Sequence, residues 1–441
     1  MHIELQKLPE STIVFHFKPD SNDYESRGVA RLANTSSYFK LPVDLDLEKI
    51  HADVLALAAL MVVSPWSGRE IELSWCVSEA FAESVFRNLK RRIGPVSLDL
   101  APRTQPDQGE SSPGLAFSGG VDSFAQLLIM PEHTVSVFAH RIPREGDIYT
   151  PEAALNAIDA VKGAGGRAVS IETDMEYVRN PVGFSTDPMP GVPAILLADH
   201  FSLDSIAYGT ISNAAYGLGK GKFVDYTARW VFRAWQSLLK SVGLEYYNAV
   251  STLSELGTME IVQSSPFSEV AESCVRGTNN KPCLKCVKCF RKQLMRAYVE
   301  GHWPSDVDLA SFVKSAGLRD ELVKLPIRQE FIYKQVLSSY TGDSEVLQLL
   351  KSRVDSTAAS TSFADKIYRA GFDAVTPERY RHETWAKLTQ FVPVMTSEDE
   401  EDFKSFDLTE SISDLQKSED FEVYTSTMYL LWALLKFGDR G

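Results

Sequence analysis

Ser118-Gly119-Gly120-Val121-Asp122-Ser123 follows the apolar stretch Leu115–Phe117 and precedes a helical pattern. A strand, a tight loop and a helix start in that order make an anion cradle. The glycines let the backbone turn and approach a ligand closely, while helix-terminal amides and the hydroxyls of Ser118 and Ser123 can donate to phosphate. No GKS or GKT occurs, so the phosphate-gripping lysine of a Walker A loop is missing. By contrast, Gly163-Ala164-Gly165-Gly166 follows a helix and precedes a strand, and reads as a helix C-cap.

Four of the five cysteines crowd into one segment, Cys274, Cys283, Cys286 and Cys289, spaced C-x8-C-x2-C-x2-C. Four thiolates so spaced can close a tetrahedron around Zn²⁺ and leave no open position for water, which points to a structural metal. An iron–sulfur centre is the alternative. Lys285, Lys288, Arg291, Lys292 and Arg296 share the segment. They can offset thiolate charge, contact an anionic ligand, or form a solvated basic face. Cys76 stands apart in a strand-like stretch and reads as a core residue.

The elements that must hold these groups follow from the pattern of apolar residues. A chain of 441 residues, 44% hydrophobic and 24% charged, predicts two or three folded domains. A formal net charge of −14 argues against broad binding to nucleic acid or anionic membrane, so neither is expected as a partner. The longest apolar run, Val54 to Val63, is too short to cross a bilayer, and the first residues lack a signal-peptide core; the expectation is a cytoplasmic protein.

Residues 1–110 mix strand-like stretches (Thr12–Phe17, Glu70–Trp75, Val96–Leu100) with helical patterns (Leu47–Val63, Ser78–Ile93) and predict a small α+β domain. The polar, Pro-, Gly- and Ser-rich stretch Ala101–Pro113 reads as an exposed linker. Over residues 114–300 apolar strands alternate with helices, which predicts an α/β fold with a doubly wound parallel sheet. Ligands of such sheets sit at the carboxyl ends of the strands. Helical periodicity dominates residues 305–441, which hold 24 acidic against 16 basic residues. There the run Glu398–Asp402 reads as a solvated loop.

The segment Ser118–Ser123 resembles the SGGxDS signature of the PP-loop ATP pyrophosphatases at every fixed position. Together with the cysteine spacing it resembles one branch, the 7-cyano-7-deazaguanine synthases (QueC). Val192-Pro193 before an apolar helix, Ile206-Ala207-Tyr208-Gly209 ending a strand, and Thr258-Met259-Glu260-Ile261-Val262 ahead of Cys274 add to the likeness, which covers about residues 114 to 300. It implies a PP-loop/HUP-like domain in which Ser118, Gly119, Gly120, Val121, Asp122 and Ser123 bind ATP. Asp122 and Ser123 would act at the reacting phosphate, the four cysteines would hold Zn²⁺, and Mg²⁺ would accompany the phosphates.

The family's tyrosine-glycine-glutamine-arginine segment is here Phe138-Ala139-His140-Arg141, its Arg-Asn after the proline is Ala194-Ile195, and a lysine before the Thr-x-Glu-Ile stretch is Gly257. Lys220, Lys222 and Arg229 are candidate replacements for the missing cations. The resemblance further implies an AMP-forming ligase that adenylates 7-carboxy-7-deazaguanine or a related deazapurine. Extended QueC-like proteins of anti-phage systems (Qat and type IV CBASS operons) join the deazaguanine to the N-terminal amine of a partner protein. The added domains suit such an acceptor from the same defence operon. Nitrile synthesis from ammonia and a non-catalytic nucleotide sensor or scaffold are the competing readings; a tRNA-modifying PP-loop enzyme ranks behind them. The aromatic stretch Tyr226–Trp235 reads as helix core.

Overall fold

The computed structural model describes residues 1–437 apart from 43–44, 108, 272–273, 275, 278–280, 314 and 419. The strands are β1 (His2–Leu8), β2 (Thr12–Lys18), β3 (Ser26–Arg27), β4 (Ala30–Leu32), β5 (Ser36–Lys40), β6 (Glu70–Ser78), β7 (Arg92–Ser97), β8 (Ser112–Ala116), β9 (Val135–Arg141), β10 (Arg167–Thr173), β11 (Arg179–Asn180), β12 (Leu203–Ala207) and β13 (Glu245–Tyr247). Ten of them form one sheet in the order β13-β12-β8-β9-β10-β5-β2-β1-β6-β7, and β11-β4-β3 form a small second sheet.

The half from β13 to β10 is parallel throughout. Every residue of β8 and β12 is buried, as in a strand covered on both faces. Counted along the chain from β8, these strands lie in the order 3-2-1-4-5 characteristic of doubly wound nucleotide-binding sheets, with the reversal between β8 and β12. The mixed α/β architecture and its large, mostly parallel sheet are as the sequence predicts.

The N-terminal strands do not form a sheet of their own. Antiparallel β5 hydrogen-bonds to β10, continuing the sheet through β2 and β1 to β6 and β7. In β2 the buried residues Ile13, Phe15 and Phe17 alternate with partly exposed ones, so one face carries the core. That core includes the helix Ala52–Val63, buried along nearly its whole length, and runs on to Leu203, Ile206, Leu238 and Leu239 of the parallel half.

Expectations from residues 1–110 and the stretch that follows are refined or corrected. The Ala101–Pro113 stretch is largely exposed, as read, but is pinned at Arg103, which is buried and donates to Asp199 at 2.6 Å and to the carbonyls of Leu203, Val242 and Gly243. The strand expected at Val96–Leu100 lies earlier, at Arg92–Ser97, and Leu98 is exposed. Cys76 is exposed, because β6 turns Ile71, Leu73 and Val77 inward and Glu70, Glu72, Ser74 and Cys76 outward.

Helices dominate after residue 304, including Glu330–Ser338, Glu345–Asp355, Arg381–Phe391, Ser397–Ser405 and Asp420–Phe437. They pack on the face of the sheet opposite Ala52–Val63, in one apolar core that runs from Leu115 and Phe124 through Phe290 to Phe331 and Phe403. A polar clamp fixes them: fully buried Asp204 of β12 accepts from Tyr380 Oη at 2.5 Å and Arg379 at 3.0 Å. Glu398–Asp402 is not a loop but lies in the helix Ser397–Ser405, where buried Asp399 closes a capping box with Thr396 and pairs with Lys366 at 2.7 Å. Among the described residues no helix is long and apolar enough to cross a membrane.

Candidate functional site

The loop after β8 leaves the sheet where the strand order reverses, and the helix Val121–Ile129 starts there. Gly119 has φ +71°, and a Cβ at this position would lie 2.9 Å from Ala157 Cβ and 3.0 Å from Ala154 Cα. Glycine is therefore required twice over, by conformation and by space. Gly120 at the N-cap offers no side-chain cap, and its own amide donates to Ser118 Oγ at 3.4 Å.

Ser123 is buried; its hydroxyl donates to Gly120 O at 2.9 Å and accepts from the Ser118 amide at 3.3 Å. It braces the loop from within, while Ser118 is exposed at its tip. On the β12 side Gly209 allows the chain against the helix start, since a Cβ there would come within 3.1 Å of the Ser123 amide nitrogen.

The loop opens into a cavity of about 480 Å³ whose lining includes Ser118, Gly120, Asp122, Phe138, Arg141 and Lys288. These lie at the carboxyl ends of β8 and β9 and, for Lys288, between Cys286 and Cys289. Arg141, part of the Phe138–Arg141 segment that departs from the family, pairs with Glu176 at 2.5 Å and stacks its guanidinium 4.0 Å from the Tyr149 ring centre. Burial pushes the Glu176 carboxyl up, and Arg141 opposes that shift.

Asp122 faces the helix Glu255–Gln263, where Thr258 donates to its Oδ1 at 2.8 Å. Burial pushes the Asp122 carboxyl above the usual carboxylate range; Lys292 and Lys288 pull it down and Glu255 pushes it further up. Burial would raise Glu255 as well, yet Arg291, at 2.7 and 3.3 Å, holds it below its ordinary value. Of the basic cluster read from sequence, Lys288 thus lines the cavity, Arg291 is a buried structural cation and Lys292 acts on Asp122.

Those three cations sit on the helix Val287–Glu300, and the cysteines fix where it starts. Cys286 caps it, accepting from the Cys289 amide at 3.4 Å, and Leu284 takes the left-handed conformation between Cys283 and Cys286. The four sulfur atoms of Cys274, Cys283, Cys286 and Cys289 lie within 4.8 Å of one another, with separations of 3.4 Å for Cys286–Cys289 and 3.8 Å for Cys283–Cys289. A tetrahedron of zinc–sulfur bonds of about 2.3 Å needs sulfur separations of about 3.8 Å, so the donor set fits a closed metal site. Cys274 also lines the cavity of about 480 Å³, and Thr150 donates to Gly277 O at 2.9 Å, tying the cysteine loop to the cavity wall.

A second cavity of about 870 Å³ shares Phe184, Asp187 and Thr210 with the first. Tyr226, Phe232, Trp235 and Tyr246 form an aromatic wall, so part of the stretch read as helix core also faces open space. The far wall comes from the helical region, Glu321 to Gln329. Gln329 is held there with φ +66° by Asn213, which donates to its Oε1 at 2.6 Å and accepts from the Glu255 amide. Of the replacement cations, Lys220 and Arg229 line this cavity, whereas Lys222 pairs with Asp407 at 2.5 Å. Asp187, Glu176 and Tyr149 were not singled out from sequence; Asp187 and Tyr149 lie in irregular segments near prolines, and Glu176 in a single 3₁₀ turn, Met175–Val178, too short to give a periodic signal.

Residues 234–407 match DUF6395, a family of unknown function. The match includes the four cysteines and much of the helical region but not Ser118–Ser123. No curated protein and no solved structure matches the chain.

Proposed function

We propose that the chain is an ATP-dependent, AMP-forming ligase of the PP-loop, QueC-like type. It activates the carboxylate of 7-carboxy-7-deazaguanine or a related deazapurine and passes the acyl group to an amine, the N-terminus of a partner protein in anti-phage defence. The observation that carries this reading is the placement of Ser118–Ser123 at the sheet's reversal point, lining one cavity that shares Phe184, Asp187 and Thr210 with a second.

In this reading the loop amides and Ser118 hold the pyrophosphate portion of ATP, with Lys288 and Arg141 as the cations of the same cavity. Mg²⁺ would screen the phosphates, and Asp122 is the carboxylate nearest the loop to hold or orient it. The deazapurine carboxylate attacks the α-phosphorus, pyrophosphate leaves, and the amine then displaces AMP. Catalysis by such a site is positioning and charge stabilisation. A structural zinc on the four cysteines would anchor the helix bearing Lys288, Arg291 and Lys292. The larger cavity favours a bulky acceptor over ammonia, which needs no such space.

The test is release of AMP and pyrophosphate by the zinc-replete protein with 7-carboxy-7-deazaguanine present or absent, and with Asp122→Ala. Release that needs the deazapurine and is lost in the variant is the expected result. ATP bound without turnover under every substrate and partner condition would overturn the ligase reading in favour of a nucleotide sensor.

A further inference from the structure

The two cavities meet at one carboxylate. Asp187 lines both, is exposed to them, and its side chain makes no hydrogen bond or ion pair with any described residue. The other acids around these cavities are engaged: Glu176 with Arg141, Glu321 with Lys324 at 2.7 Å, and Asp122 with Thr258. Asp187 is also held in place. Ser185 donates to the Val62 carbonyl at 2.5 Å and Thr186 to the Met61 carbonyl at 2.7 Å, fastening its segment to the buried helix Ala52–Val63, and Tyr208 donates to Pro188 O at 3.2 Å. Lys220, Arg229, Lys324 and Arg328 also line the larger cavity, and among the described residues Asp187 is its one acid left unengaged, the group there that can pair with a cation arriving on a ligand.

We infer that the larger cavity is the acceptor site and that Asp187 receives the ammonium group of a polypeptide N-terminus; this rests on the ligase reading above and adds where its second substrate binds. The aromatic wall of Tyr226, Phe232, Trp235 and Tyr246 gives the following residues of an extended segment apolar surface to lie on. Exposed Phe184 and Val231 continue that surface at the rim. Both regions outside the sheet's parallel half then contribute: residues 52–63 position Asp187, and residues 321–329 close the far side.

In the transfer step the amine nitrogen forms a bond to the acyl carbon, and the bond from that carbon to the phosphate oxygen breaks. AMP leaves with the electron pair. Of the two protons the ammonium sheds, one passes to Asp187 as the nitrogen engages the carbon and the other to water as the adduct collapses. Asp187 then releases its proton to water.

The experiment uses the full chain, ATP and 7-carboxy-7-deazaguanine with three probes: a tripeptide amide Gly-Ala-Phe, its N-acetyl form, and ammonium chloride. Pyrophosphate exchange reads activation, and peptide mass reads transfer. Wild-type protein should acylate the free tripeptide in preference to ammonium and leave the N-acetyl form untouched. Asp187→Asn should lower the ratio of peptide transfer to exchange about ten- to hundredfold, the range for losing a charge-assisted hydrogen bond, and Asp187→Glu should restore part of it. Exchange accompanied by an unchanged ratio in Asp187→Asn, or by preference for ammonium, would overturn the acceptor assignment while leaving the ligase standing. Absence of exchange in the wild type would overturn both.

Discussion

Replacing Gly119 by alanine tests the loop's construction with a single methyl group. The residue sits at φ +71°, where an L side chain costs about 1–2 kcal/mol. The new Cβ would also stand 2.9 Å from Ala157 Cβ and 3.0 Å from Ala154 Cα, well inside the ~3.5–4.0 Å at which carbon atoms rest. Ala154 Cα is backbone of the helix Glu152–Gly163, so the helix itself must move, at about 1–3 kcal/mol for overpacking of this kind. The expected loss is about 2–5 kcal/mol. Gly163→Ala, at the end of the same helix, is the control, since nothing lies within 4 Å of its added Cβ. It should be neutral or stabilising by up to about 1 kcal/mol. Urea denaturation followed by tryptophan fluorescence measures both, and calorimetry with ATP should find binding weakened only in Gly119→Ala. Equal stability of the two variants, within about 0.5 kcal/mol, would refute the steric argument.

Three further outcomes follow from the same structure. Cys286→Ser, or a strong zinc chelator, should remove one equivalent of metal per chain by mass spectrometry of metals and lower the thermal midpoint; unchanged metal content would refute the assignment. Glu260, pushed up to about 8 by burial with help from Asp365, is protonated when folded and ionises on unfolding from its ordinary 4.5 upward. Stability from this group is thus complete below pH 4.5 and lost as pH rises through 8, with a slope of at most about 1.4 kcal/mol per pH unit. Glu260→Gln should flatten the urea midpoint over that window, and a slope that survives the substitution would sink the argument. Asp204→Ala strips Arg379 and Tyr380 of their buried acceptor and should cost about 3 kcal/mol, read as faster hydrogen exchange in the helix Arg381–Phe391.

What could be read from sequence was local. The runs that became β8, β9, β10 and β12 each hold a short apolar stretch, and the turn chemistry of Ser118–Ser123 and the thiol spacing are each held within a short segment. The strands β1 and β5 went unread, because His2–Leu8 is largely polar and Ser36–Lys40 opens with two serines. Leu98 and Leu100 alternate as a strand should, yet the sheet ends before them. The anchor at Arg103 was not legible in the linker, because the three carbonyls and the carboxylate that bury it come from residues about a hundred or more positions away. Asp187 gave no signal because what sets it apart, the two cavities that share it and the lack of a side-chain partner among the described residues, exists only in the folded chain.

The unbroken sheet bears on how this chain can be dissected. Trimming it to the region that resembles a minimal enzyme would strip β5 from β10 and leave the amides and carbonyls along that edge open to a second molecule, a common route to aggregation. It would also remove the helix whose Met61 and Val62 carbonyls fasten Ser185 and Thr186. An inactive, insoluble fragment would then be the outcome even if residues 1–110 never touched a substrate. Point substitutions, and not deletions, are the tools that can separate what the amino-terminal region recognises from what it merely shores up.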